Sequence, residues 1–468
     1  MSKIKTFLRD VSYTFSSNLI SLAISTLVVL IVPKFISVHQ YGYWQLYVFY
    51  TTYVGILHFG WLDGIYLRYG GDRYQDLDKP LFFSQFIEFT LFEIIFAAGI
   101  IAIATLFENG QQQFVWIMTA IAMILMNLRQ FFLYILQDTG RIREYAWITS
   151  SGRIVYFVIA VLELALGVRN FRPLIFADLL GSLTSVIFGV KSCPEIVFQK
   201  LTVFKTTFPE IWANVVVGIK LVLANFASSL IIGVVRYGIK IHWGVTVFGK
   251  ISLTLNISNL LMTFISAVSL VLYPLFRRMD ETNLRRIYPA LRDVLMSMML
   301  FLLLAYYPIS WILPIWLPKY RTALSFMGLL FPMCVYSGKF SLLIATLLKT
   351  FRLEKKLLLT NVATLLFSLM LSGISIFMIS NLTLVMVSIV VVLSFQSSLG
   401  EFFLTKYFGY GFGKKIIYES GCVAGFMISN YLIGGVIGFA CYLAILSIYL
   451  FINRHSISRG VHLLIPSD

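Results

Sequence analysis

Arg129 and Arg153 are the residues best placed to do chemistry in this chain. Each stands deep in a long apolar run, and each lies twelve residues from Arg141 in the short basic turn Gln137-Asp138-Thr139-Gly140-Arg141-Ile142-Arg143-Glu144. If both arms are helical, a rise of about 1.5 Å per residue puts the two guanidiniums at one depth, about 18 Å from the turn. A cation in hydrocarbon costs about 2.5–3.5 kcal/mol on insertion scales, so such a pair is expected to face a watered cavity or an anion. The turn recurs as Leu347-Leu348-Lys349-Thr350-Phe351-Arg352-Leu353-Glu354-Lys355. Aligning Thr139 with Thr350 and Arg141 with Arg352 carries Arg129 to within one residue of Lys339. The spacing therefore predicts a second buried cation, Lys339, in the equivalent helix.

Other polar residues could line the same cavity. Ser252, Asn256, Asn259, Thr263 and Ser266 follow at alternating steps of four and three, which is one helix face. Two asparagines on that face point to a hydrated cleft more than to packing by small polar residues. Lys250 falls about 200° from the stripe and is expected to snorkel outward, so it ranks below Arg129 and Lys339 as an anion ligand. Lys220 is a further cation within an apolar run. Asn18 and Asn225 open the matching tetrads Asn18-Leu19-Ile20-Ser21 and Asn225-Phe226-Ala227-Ser228 and join the candidate set. Glu88 is expected to pair with Arg129 or Arg153, or to hold a coupling cation or proton. Asp63, with Arg68, anchors the cytoplasmic end of the second run and is the other ion-coupling candidate. The tyrosines Tyr41, Tyr43, Tyr47, Tyr50 and Tyr53 read as an interfacial belt rather than a sugar-stacking face.

The elements that must position these residues are membrane helices. The chain has 468 residues, of which 59% are hydrophobic and 12% charged, with a mean hydropathy of +0.86. Soluble domains carry about 25% charged residues. Runs of about 20 apolar residues are helical spans, because lipid offers the backbone no other partner. The fold class is thus all-α and polytopic, with about fourteen transmembrane helices. The first is Val11–Ile36, retained rather than cleaved. The second is Tyr43–Trp61. The last pair, Ile416–Ile433 and Val436–Ile452, is parted only by Gly434-Gly435, so it forms two spans or one re-entrant pair.

With the N-terminus in the cytoplasm, 25 of the 37 Lys and Arg fall on the cytoplasmic side, six outside and six within spans. That asymmetry places both termini in the cytoplasm. The net charge of +16 is then mostly a topology device, and nucleic acid is not an expected partner. Landmarks of the two halves repeat at nearly constant offset, and each half holds six spans. The copies therefore share one orientation, related by an axis along the membrane normal, with the substrate site in the cleft between them. The expected domains are a lobe over residues 1–190, a cytoplasmic linker over 191–214, a second lobe over 215–404, and a helix pair with cytoplasmic tail over 405–468. The four cysteines and five histidines are scattered without ligand spacing, so no metal or other cofactor is implied. No nucleotide-binding loop, nucleophile–base pair or soluble domain is apparent, which argues against an enzyme or an ATP-driven pump.

These stretches together resemble the polysaccharide flippases (Wzx-type) of the multidrug/oligosaccharidyl-lipid/polysaccharide (MOP) exporter superfamily. The resemblance rests on Asn18 to Phe35; on Tyr41-Gly42-Tyr43-Trp44 followed by Asp63-Gly64 and Arg68-Tyr69; on Leu136 to Ala146; and on Phe248-Gly249 followed by Pro274 and Arg277. Lys250 departs from the tyrosine many members carry near that place. The resemblance implies a cytoplasmic-membrane flippase carrying undecaprenyl-diphosphate-linked oligosaccharide from the inner to the outer leaflet by alternating access, with ion coupling. On that reading Arg129, Arg153 and Lys339 meet the diphosphate and the eighth-run stripe meets the glycan. Its partners would be the lipid-linked oligosaccharide, membrane lipid and a polysaccharide polymerase complex. The alternatives are a cation-coupled multidrug exporter of similar fold, whose cavity would need acids, and a non-transporting scaffold of an envelope assembly complex.

Overall fold

The computed structural model describes residues 3–278, 281–411 and 413–464. Among the described residues all regular structure is helical, without a strand. Within the described residues twelve helices are long and apolar enough to cross a membrane. One of them covers 53 residues, Phe208–Leu260, within a helix that continues to Arg278 and turns at Gly244 (φ 80°, ψ 176°). Arg236 and Lys240 lie within this helix. The last pair forms two helices, with the positive φ of Gly434 and Gly435 making the reversal.

By contacts the chain divides into two units, Met1–Phe226 and Ala227–Asp468. The first contains α1 (Lys3–Phe35), α2 (Val38–Thr51), α3 (Trp61–Tyr69), α4 (Lys79–Phe107), α5 (Gly110–Asp138), α6 (Ile142–Ala165), α7 (Phe171–Ser192) and the start of α8 (Phe208–Arg278). Polar side chains set several helix starts. Asp78 Oδ1 accepts the Leu81 amide at 3.1 Å and Asn170 Oδ1 that of Arg172 at 3.0 Å, each meeting a donor the first turn leaves unpaired.

The second span is not continuous. α2 ends at Thr51, a short 3₁₀ turn covers Val54–His58, and Phe59 and Gly60 adopt left-handed φ values of 50° and 86° before α3 begins. Glycine is required at position 60, since a Cβ there would lie 2.4 Å from the backbone nitrogen of Ile219. The break interrupts the helical ladder, and its amides are met locally: those of Ile56 and Phe59 by the Tyr53 and Ile56 carbonyls, and that of Gly60 by His58 Nδ1 at 3.2 Å.

α5 is the hub of this unit, packing on α2, α3, α4, α6 and α7. The second unit contains the remainder of α8, then α9 (Glu281–Leu302), α10 (Met327–Thr350), α11 (Glu354–Gly373), α12 (Leu382–Phe408), α13 (Lys414–Ile428) and α14 (Gly435–Leu464). α10 is its core. Of its most apolar stretch 89% is buried and of α5's 61%, against 22–50% for the other ten.

Both hub helices end in the same motif. The amide of Arg141 reaches the Leu136 carbonyl at 2.8 Å and that of Leu353 the Leu348 carbonyl at 2.7 Å. The left-handed residue is Gly140 (φ 69°) in one and Arg352 (φ 54°) in the other. The repeat of the turn is therefore real, but its backbone register pairs Gly140, not Arg141, with Arg352. Counted back from these residues, Arg129 is eleven positions away and Lys339 thirteen. In a regular helix two residues are about 200° of rotation, and a π turn at Phe340–Ala345 intervenes in α10. The two cations are not equivalent.

Candidate functional site

α6 and α7 are the most intimately packed pair in the first unit, because two glycines face each other. A Cβ on Gly181 would sit 2.4 Å from the Gly152 carbonyl oxygen, and one on Gly152 would sit 2.6 Å from that of Gly181. This approach places Arg153, next to Gly152, on a narrow cleft with Asp178 of α7. α5 supplies Met126 and Arg129 to the same cleft, so the two arginines come together.

Both arginines are half-buried, and among the described residues neither has an ion-pair partner within 4 Å. The Nε of Arg129 is buried without a hydrogen bond. Asp178, the acid on the cleft, takes the Tyr47 hydroxyl at 2.8 Å. It does not pair with Arg172. Two always-charged guanidiniums on the lining of one cleft, one of them with an orphaned donor, are suited to an anion with several acceptor oxygens, such as a phosphate, which arginine grips by paired N–H donors.

Lys339 departs from expectation. It is 2% exposed, and its Nζ lies 2.5 Å from Glu401 Oε2 and 2.7 Å from Glu419 Oε2. Arg292 bonds Glu401 through Nε, Glu419 through Nη2 at 2.7 Å and Asp293 through Nη1 at 3.2 Å. Lys415 closes the cluster on Asp293 Oδ2 at 2.5 Å. Three cations and three carboxylates from α9, α10, α12 and α13 thus cancel, and Lys339 is not free to meet a substrate anion. Sequence reading missed Asp293, Glu401 and Glu419. The signal was an acid in each of three apolar runs opposite a lysine, legible only once the helices were paired.

The other candidates scatter. Lys220, Asn18, Asn225 and Asn259 are exposed, while Lys250 and Asn256 are half-buried. Ser252 is buried and accepts a hydrogen bond from Arg236 Nη2 at 3.0 Å. The side chains of Thr263, Ser266, Pro274 and Arg277 lie outside the described residues.

Glu88 pairs with neither arginine. It accepts the backbone N–H of Thr207 at 3.1 Å and also its hydroxyl, pinning the segment before α8. Asp63 and Arg68 do not pair with each other. Asp63 is buried in the first turn of α3, with His58 Nε2 at 3.5 Å and the Tyr134 hydroxyl at 3.4 Å. Arg68 instead holds Glu210 at 2.7 Å and Asn214 Oδ1 at 2.6 Å. The tyrosines pack against neighbouring helices. Tyr41 and Tyr47 are fully buried, Tyr50 stacks on Trp116 at 4.3 Å, and Tyr43 stacks on Phe171 at 5.4 Å.

No protein-family model matches the sequence, and no curated protein matches it. Solved structures do match. The lipid II flippase MurJ in an inward closed conformation aligns with TM-score 0.58 at 13% identity, over 95% of this chain and 99% of that one. An inward-facing multidrug resistance transporter of the MATE family aligns with TM-score 0.58 at 13% identity, over 88% of this chain and 99% of that one. A MOP superfamily transporter from Pyrococcus furiosus aligns with TM-score 0.54 at 14% identity, over 86% and 95%. The chain has the fold of the MOP superfamily transporters and is a multi-pass membrane protein.

Proposed function

We propose that this protein is a flippase for a polyprenyl-diphosphate-linked oligosaccharide, moving it from the cytoplasmic to the outer leaflet. The observation that carries the reading is the Arg129–Arg153 cleft. Two permanently charged guanidiniums in one apolar bundle, without a carboxylate bound to either, favour an anionic cargo over the cationic drugs a multidrug exporter would take. A diphosphate supplies the missing countercharge, and the polyprenyl tail can stay among acyl chains. Asp178, held by Tyr47, limits the positive field, so the headgroup is gripped but can be released. The sequence-based roles of Asn256, Asn259 and Thr263 toward the glycan, of both termini in the cytoplasm and of a polymerase partner belong to the same proposal.

The test is reconstitution of the protein in vesicles with a fluorescent undecaprenyl-diphosphate oligosaccharide on one leaflet, with its appearance on the other followed by quenching. Arg129→Gln with Arg153→Gln is expected to abolish transfer while the protein remains folded. Undiminished transfer by that double variant, or equal transfer of a cationic dye by the wild type, would overturn the reading.

A further inference from the structure

The flippase reading leaves one fully buried acid unused. Glu93, on α4, has no exposed surface. Its carboxyl group meets a single donor group, the Asn127 side-chain amide on α5, which lies 3.0 Å from each oxygen. The residues one turn along each helix are apolar. Ala97 and Met123 belong to a buried cluster with Val54 and Ala120, and Leu57, Phe96 and Ile100 pack against it.

Of the other titratable groups of these elements, Asp138 lies eleven residues further along α5, and the nearer ones are engaged elsewhere. Glu88 on the same helix holds Thr207. Arg129 on α5 lines the cleft with Asp178. At the break, His58 faces Asp63 and accepts the Gly60 amide on Nδ1 at 3.2 Å, Tyr134 bonds Asp63, and Tyr53 lies edge-on to Phe49 and Phe226. Among the described residues no cation touches Glu93. A carboxylate with one shared donor in such surroundings costs several kcal/mol, and the neutral acid far less.

The same amide has a second task. Asn127 Nδ2 lies 3.4 Å from the carbonyl oxygen of Val54, where the 3₁₀ turn of the broken span begins. An amide has two hydrogens to give. With Glu93 neutral, one can serve the acid and one the Val54 carbonyl.

We propose that Glu93 is a proton-binding site whose charge state operates the break in the second span. A proton from water adds to a Glu93 carboxyl oxygen to give the neutral acid, and Asn127 then bridges to Val54 and holds the turn closed. When the proton returns to water, the carboxylate draws both amide hydrogens, the Val54 carbonyl loses the Asn127 donor, and the turn rearranges so that water reaches both groups. The proton is thus the coupling ligand for this half of the molecule. Its link to turnover rests on the flippase reading, but proton binding itself does not.

The experiment uses the full-length protein in lipid nanodiscs without substrate, so its outcome is separable from that of the transport assay. Infrared spectra across pH are expected to show a protonated-carboxyl carbonyl band that shifts in D₂O, fades as pH rises and is missing in Glu93→Gln. A spin label at Phe59→Cys is expected to change mobility over the same pH range, and to stay in its low-pH form when Glu93→Gln is added. Asn127→Leu removes the donor that favours the carboxylate, so its band should persist to higher pH, which keeps the test open if Glu93→Gln folds poorly. A band unchanged in Glu93→Gln, a band unmoved by Asn127→Leu, or a label blind to pH in the wild-type background would each overturn the proposal.

Discussion

Replacing Lys339 by methionine separates a structural cation from a functional one. The substitution leaves the buried cluster with Asp293, Glu401 and Glu419 against Arg292 and Lys415, a net charge of −1 (from the pairs named above). Glu401 Oε2 and Glu419 Oε2, both bound to the lysine, then lose their cation while staying enclosed. Removing one partner of a buried ion pair costs about 3–5 kcal/mol. For a cooperative unit the size of Ala227–Asp468, each kcal/mol is worth about 2–4 °C in midpoint, so the midpoint should fall by about 6–20 °C. Lys339→Met combined with Glu419→Gln restores neutrality and should recover more than half of the loss. Arg129→Gln, which breaks no ion pair, should move the midpoint by less than about 2 °C. The assay is thermal unfolding of purified protein in detergent, followed by light scattering and tryptophan fluorescence. A Lys339→Met midpoint within about 2 °C of wild type, or a double variant less stable than the single, would refute the reasoning.

Two further outcomes follow from the cleft. Tyr47→Phe releases Asp178 from its hydroxyl partner, so the carboxylate competes with the cargo for Arg153; transfer should slow several-fold at low substrate and less at saturation, with a stability cost of about 1 kcal/mol, read from initial rates across substrate concentrations. Gly181→Ala drives a methyl group into the Gly152 carbonyl at 2.4 Å and should force α6 from α7, lowering stability by about 1–3 kcal/mol and transfer by more than Tyr47→Phe does, measured in the same two assays.

Much of this architecture was legible in the residues because lipid enforces it. A run such as Phe171–Ser192 can only be a spanning helix, and the symmetric spacing of Arg129 and Arg153 about one turn was enough to bring them together. What failed did so for identifiable reasons. The Lys339 assignment rested on aligning side chains across two turns, whereas backbone hydrogen bonds set the register and Arg352 occupies the left-handed position that glycine fills in the first turn. A local π turn in α10 added a further offset that no periodicity reports. The carboxylates of Glu401 and Glu419 were overlooked because a single acid scarcely alters the hydropathy of its run, although a single acid is what such a cluster needs. The interruption of the second span was marked only by Gly55 and Gly60, two glycines among 31. The deep burial of Tyr41 and Tyr47 depends on which helices surround α2, information that a one-dimensional pattern does not hold.

The cancelling of charge around Lys339 bears on how voltage acts on the protein. An elementary charge crossing the full membrane potential exchanges about 2.3 kcal/mol per 100 mV. A cluster whose six charges sum to zero exchanges almost none as a rigid body, however far it travels. A current recorded during transport would then carry no contribution from this cluster, and would report instead on charges outside it, such as Arg129 and Arg153, and on the cargo itself.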